Sequence, residues 1–257
     1  DLRSMCYGSA DYYLVLIEAL KLGFADAHAY IADPKQMRVP VEALLSQRYT
    51  RERRALIDGN KALWPEPGRP EGNGDTVYLT VADGMGNMVS WIQSLYMGFG
   101  SGITAGRTGI QLQNRGANFS LTPGHPNEVA PGKRPYHTII PGFITRDGKP
   151  WASFGVMGGF MQPQGHLQVG ANLVEFGMDP QAALDAPRFN WLQGRDVALE
   201  PGIGDEVRDE LARRGHILRP KGEMIHYGGG QVILRDPETG VLVGGSEPRN
   251  DGAAVGW

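Results

Sequence analysis

Between Trp64 and Asp75 the chain reads WPEPGRPEGNGD, a stretch in which neither helix nor strand can persist. Proline removes an amide donor and glycine removes steric bias, so this segment must be a linker. It divides the chain into two textures. Ahead of it, residues 9 to about 31 carry Leu16, Leu20 and Phe24 at i, i+4 spacing, with Ala19 and Ala25 on the same side. That period predicts a helix. Residues 41–57 predict a second, with Arg and Glu on its solvent face and Gly59 as its stop. After the linker, TVYLTVAD, NMVSWIQSLY and GIQLQN read as strands, and DGMGN is the first hairpin turn.

Two more strands are predicted around the Asp-Gly turn of HTIIPGFITRDGKPWASFGVMGG. Helices follow in QPQGHLQVGANLVEFG, in DPQAALDA with Asp179 as N-cap and Pro180 behind it, and in GDEVRDELARRGH. GGGQVILRDPETGVLVGGSEPR closes the chain as a hairpin. Strands, then helices, then strands predict an α+β fold, an antiparallel sheet layered with helices. No internal repeat is visible.

The chain has 257 residues, enough for one large domain or two small ones. With 25 basic and 28 acidic residues its formal charge is -3, which argues against nucleic acid or an anionic membrane as partner. No apolar run is long enough to span a bilayer. The single cysteine, Cys6, excludes an internal disulfide and a multi-cysteine zinc site. It favours a cytoplasmic over a periplasmic location. The opening DLRSMCYGSADYY has neither an initiator Met nor a signal-peptide pattern and reads like the inside of a longer chain.

Familiar chemistries are excluded one by one. The six histidines are scattered, with no H-E-x-x-H or H-x-H pair to hold a metal. No P-loop occurs. GFGSGITAG lacks the dinucleotide spacing, and its GFGSG misses the G-x-S-x-G elbow by one position. What remains is Thr76, standing where the linker meets the first strand. Inside a chain a threonine hydroxyl is a poor nucleophile. At a free N terminus its own α-amine, with a pKa near neutrality, can take the proton. Such chemistry needs a cut before Thr76 and backbone donors for the oxyanion, which Gly158 and Gly159 of VMGGF can supply.

Several strings together resemble one family, the γ-glutamyltranspeptidases, which are self-cleaving N-terminal-nucleophile hydrolases. IEALKLGFADAHAYIADP with VPVEALLSQRY resembles the end of that family's large subunit. FGSGI, GIQLQNRGANF, PGKRP, GVMGG, APRF and GGSEPRNDGAAVGW follow in small-subunit order. The resemblance implies a four-layer αββα sandwich, with residues 1–75 ending the large subunit and 76–257 forming the small, catalytic one. It implies cleavage between Asp75 and Thr76, with Thr76 as nucleophile, Ser94 bonding its hydroxyl, and Gly158 and Gly159 as oxyanion hole. The implied reaction is hydrolysis or acyl transfer of γ-glutamyl or related small carboxylate-bearing amides, glutathione-like ones by default, with no metal or organic cofactor. The implied partners are a small-molecule amide and the rest of the large subunit, and a higher oligomer is allowed.

The departures bear on substrate. Val77 and Tyr78 replace the family's second Thr and His. Where transpeptidases hold the glutamyl α-amino group with Asn, Gln and Asp, this chain has Tyr96, Arg115 and Asn118. After Tyr136, the serine pair for the α-carboxylate becomes His137-Thr138. Losing an acidic partner while gaining Arg115 and His137 favours a plain anion over a zwitterion, as in oxamate or glutaryl amides. A second class of reading is an uncut precursor or pseudoenzyme that keeps the fold as a binding protein.

Overall fold

A computed structural model describes residues 1–65, 75–220 and 226–257, with the Asp75 side chain outside that set. Residues 66–74, the body of the expected linker, therefore lie outside the described residues. Helix α1 (Ala10–Tyr30) starts on Ser9, whose hydroxyl accepts from the Tyr12 amide. It is covered on nearly every side, with Tyr13, Leu16, Ile17, Leu20 and Phe24 in one core cluster. Its two buried charges fix what precedes the linker. Glu18 accepts from Lys21 Nζ (2.7 Å), His216 Nε2 (2.8 Å) and the Leu63 amide (2.9 Å). Burial pushes the Glu18 pKa up, but His216 and Lys21 outweigh it and hold the carboxyl below its usual value.

The expected single helix over 41–57 is two short ones, α2 (Val41–Leu44) and α3 (Gln47–Arg54). Ser46 separates them because its hydroxyl accepts from the Tyr49 amide and starts a new helix there. Strands β1 (Asp75–Ala82) and β2 (Met88–Tyr96) form the expected antiparallel hairpin. Asp83 closes its turn by accepting from the amides of Met85 (3.0 Å) and Asn87 (2.9 Å), and Gly86 takes a φ of 88°.

The expected strand over GIQLQN is absent. Gln111 makes one isolated bridge to Thr104, and the surrounding segment is a loop that Gly98, Gly100, Gly102, Gly106 and Gly109 bend through positive φ. So many left-handed turns leave no straight run for a ladder.

The main sheet has the order β3 (Gly142–Arg146), β4 (Lys149–Met157), β8 (Gly229–Arg235), β9 (Leu242–Ser246). Strands β3 (Gly142–Arg146) and β4 (Lys149–Met157) flank the Asp147-Gly148 turn. From β4 the chain passes through Gly158 and Gly159 into α4 (Met161–Val174), and then α5 (Pro180–Asp185), capped by Asp179 as expected. A small sheet, absent from the sequence expectations, follows. It comprises β5 (Phe189–Gln193), β6 (Asp196–Leu199) and, after α6 (Asp205–Arg213), β7 (Ile217–Leu218). The closing hairpin is β8 (Gly229–Arg235) with β9 (Leu242–Ser246).

Three layers follow from side-chain alternation. Ala152, Phe154 and Val156 of β4 face α4 and α5, packing with Val169, Leu173, Ala183 and Leu184. The opposite face of the sheet meets the hairpin, where Tyr78 lies across Gly155 and its hydroxyl is 2.8 Å from Ser90 Oγ. A Cβ at Gly155 would sit 2.4 Å from the Tyr78 ring. Gly155→Ala should therefore cost about 1–3 kcal/mol by overpacking. An unchanged melting temperature would show that the hairpin yields freely.

Helix α4 also serves as a neighbour for the small sheet. Gln164 exchanges hydrogen bonds with the backbone of Trp191, giving at 2.9 Å and accepting at 2.7 Å. One turn later Gln168 does the same with Phe189, at 3.1 and 2.9 Å. Amides at i, i+4 thus satisfy alternate residues of a strand edge that would otherwise be buried unpaired.

Candidate active site

Thr76, Tyr78 and Thr80 point to one face of β1, toward the main sheet. Thr76 is 9 % exposed. It pairs with Ser94, while Asp75 pairs with Tyr96, so Leu95 is an extra residue and the ladder is bulged at the Asp75–Thr76 bond. Tyr96, just beyond, has a φ of 80°, rare for an aromatic residue. Bulges bend a strand and re-aim side chains, and this one sits on the bond expected to be cut.

The bulge brings hydroxyls together. Thr76 Oγ1 donates to Ser94 Oγ at 3.1 Å. Ser94 Oγ also accepts from the Tyr96 amide (2.9 Å) and from Arg115 Nη2 (2.9 Å). Arg115 lies in a single 3-10 turn, Arg115–Asn118, and is only 2 % exposed. Its other terminal nitrogen donates to Thr138 Oγ1 at 2.6 Å, and its carbon sits 4.7 Å from the centre of the Tyr96 ring. No carboxylate among the described residues pairs with it. Desolvation pulls its pKa down, and the neighbouring Tyr96 opposes that pull.

Asn118 gives its side-chain amide to the Tyr136 carbonyl at 3.1 Å. Tyr136 packs against both His28 and Phe160, the residue after the glycine pair, and those two rings also touch each other. His137 is exposed, its Nδ1 accepting from the Ile139 amide. Partial desolvation and then the Arg115 charge lower the His137 pKa, disfavouring its charged form.

Gly158 and Gly159 occupy the turn between β4 and α4 with φ of 127° and 59°. A Cβ on Gly158 would lie 3.3 Å from the Gly228 Cα, so two glycine backbones pass side by side. Both glycines adjoin the start of α4, where helix amides point outward and favour negative charge.

Sequence reasoning missed Gln162. Fully buried in the first turn of α4, it donates from Nε2 to Thr76 Oγ1 at 3.4 Å. The nearest feature is a polar stripe on the same helix, Gln164, Gln168 and Asn172, but Gln162 lies off it. That stripe pointed to hydrogen-bonding partners without showing which.

The mixed helix and sheet arrangement matches solved N-terminal-nucleophile hydrolases of the γ-glutamyltranspeptidase kind. The γ-glutamyltranspeptidase family profile matches residues 1–257, and this chain belongs to that family. It is 41% identical over 263 residues to the glutathione hydrolase-like YwrD proenzyme of Bacillus subtilis, covering 100% of this chain and 49% of that protein. It is 36% identical to the oxamate amidohydrolase proenzyme of Klebsiella pneumoniae, over 94% of this chain and 46% of that one. The crystal structure of cephalosporin acylase from Bacillus halodurans superposes with a TM-score of 0.90 at 55% identity, covering 97% of this chain and 45% of that chain. The chain spans about half the length of the curated relatives it matches.

Proposed function

We propose that this chain carries the cleavage site and catalytic threonine of a self-processing amidohydrolase of the γ-glutamyltranspeptidase type. The observation that supports it most is the buried Thr76 hydroxyl, held 3.1 Å from Ser94 Oγ at the start of β1, opposite a bulge in β2. In processing, Thr76 Oγ1 attacks the Asp75 carbonyl carbon, the peptide nitrogen leaves, and water hydrolyses the resulting ester. Thr76 then heads a new chain. In turnover its α-amine takes the hydroxyl proton as Oγ1 attacks the substrate amide. Gly158 and Gly159 amides stabilise the oxyanion, and the ammonium protonates the departing amine. Water then attacks the acyl-Thr76 ester with the amine again as base, releasing a carboxylic acid.

Denaturing electrophoresis with N-terminal sequencing tests this reading. Two fragments, the smaller beginning Thr-Val-Tyr-Leu, support it, whereas a single intact band after prolonged incubation supports the uncut binding protein.

The four-layer αββα sandwich belongs to the same proposal. The outer face of the hairpin leaves Val77, Leu79, Val81, Val89 and Trp91 between 46 and 60 % exposed. We assign that apolar face to the rest of the large subunit, since relatives of this chain are about twice as long.

For substrate, the proposal is a small amide bearing a carboxylate and no α-amine. A glutamyl ammonium needs a carboxylate partner, and Asn118 supplies a neutral amide where the family has Asp. Arg115 adds a buried positive charge with no carboxylate partner among the described residues. Glutaryl-p-nitroanilide and oxamate should thus be favoured over γ-glutamyl-p-nitroanilide in kcat/KM. A preference for the γ-glutamyl compound above about a hundredfold, roughly 2.7 kcal/mol, would overturn this assignment.

A further inference from the structure

Gln162 joins three parts of the site that lie far apart in sequence. Its Oε1 accepts from the Ile140 amide at 2.9 Å, just beyond His137 and Thr138. Its Nε2 reaches Thr76 Oγ1. Its own backbone amide donates to the Gly159 carbonyl at 3.1 Å, and its carbonyl accepts from His166 Nδ1 at 2.7 Å. A carbonyl only accepts, so that contact places the His166 proton on Nδ1. The side chain is fully buried and cannot swing to solvent.

We propose that Gln162 is a positioning residue for the nucleophile, resting on the reading of Thr76 given above. Thr76 donates its proton toward Ser94, and the Gln162 amide occupies one lone pair of the same oxygen. The other lone pair is left to attack. Being β-branched, Thr76 has few χ1 choices, and one added contact selects among them. A neutral donor orients the oxygen without the strong charge stabilisation that would blunt its nucleophilicity. Because Oε1 is tied to the Ile140 amide, Gln162 also holds the loop after His137–Thr138 in register with the nucleophile.

The test uses Gln162→Glu in the full precursor. Glutamate keeps an acceptor for Ile140 but, once ionised, removes the donor to Thr76. With p-nitroanilide substrate, kcat should fall about 10- to 100-fold with KM within about twofold. A carboxylate beside Thr76 stabilises its α-ammonium, so the acid limb of the kcat profile should move up by about one pH unit. Wild-type kcat and an unmoved limb would overturn the proposal, as would a change confined to KM.

Should the buried carboxylate unfold the protein by circular dichroism, Gln162→Met carries the test. It lacks the donor and adds no charge, so it should show the same fall in kcat with an unmoved limb. If neither variant folds, Gln162 is a structural residue and the proposal fails. Thr76→Ala run alongside separates the two readings. An active, processed Thr76→Ala removes the nucleophile assignment, whereas an inert one beside fully active Gln162 variants removes only this inference.

Discussion

Thr76→Ala should leave the precursor uncut and abolish amide hydrolysis, a loss of at least about 10⁴-fold in kcat. Both effects come from one atom. Without Oγ1 the Asp75–Thr76 bond has no internal nucleophile, and without cleavage there is no α-amine to act as base. Thr76→Ser should retain both reactions at reduced rate, because it keeps the hydroxyl but loses the methyl that restricts χ1. The measurement is intact mass over time, followed by product release from each p-nitroanilide. A processed and active Thr76→Ala would remove the central claim. Folding should survive, since Thr76 holds no core cluster together and its side-chain partners, Ser94 and Gln162, keep other bonds.

Glu247→Ala should lower stability by about 3–5 kcal/mol, because it strands a buried cation. Arg188 and Glu247 are 1 and 2 % exposed and meet at 2.8 Å. The same carboxylate accepts from the Gly230 amide at 2.7 Å and pairs with Arg249 at 2.6 Å. Arg249 is in turn bidentate on Glu200, at 2.6 and 2.5 Å. Arg188 finally holds the Tyr227 and Gly228 carbonyls, at 3.0 and 3.3 Å. At roughly 2–4 °C per kcal/mol, the melting temperature should fall by about 6–20 °C. Glu247→Ala with Arg188→Met should cost less than the two single changes summed, because the second removes the unpaired charge left by the first. Additive losses would show that the pair is not coupled.

This network also bears on catalysis. Gly228 runs beside Gly158, so releasing it loosens the turn that carries the proposed oxyanion donors. A surviving Glu247→Ala protein should show a reduced kcat as well as a lower melting point.

Much of this was legible in the sequence because it is local. The Gly86-Asn87 turn and the alternation on each side of it set the hairpin, and so put Thr76 and Ser94 opposite one another. Asp179, Pro180 and the period of apolar residues placed α1, α4, α5 and α6 within about three residues. Thr76 stood out from the junction itself. The strings that carry the family resemblance are likewise short and read in order.

What tertiary structure decided was the fate of polar groups. Arg115 reads from sequence equally well as a solvated loop residue or a substrate contact; packing against Tyr96 buries it behind Ser94. Gln162 lies 86 residues from Thr76 and has no periodicity that names its partner. Strand β5 depends on helix side-chain amides for its edge, and such pairing leaves no alternation to read. Hydrogen-bond partners across the fold are chosen by which surfaces meet, and a buried polar group is stable only where that meeting supplies one. The sequence determined the hairpin, most helices and the place of the proposed nucleophile; only the assembled layers determined what surrounds it.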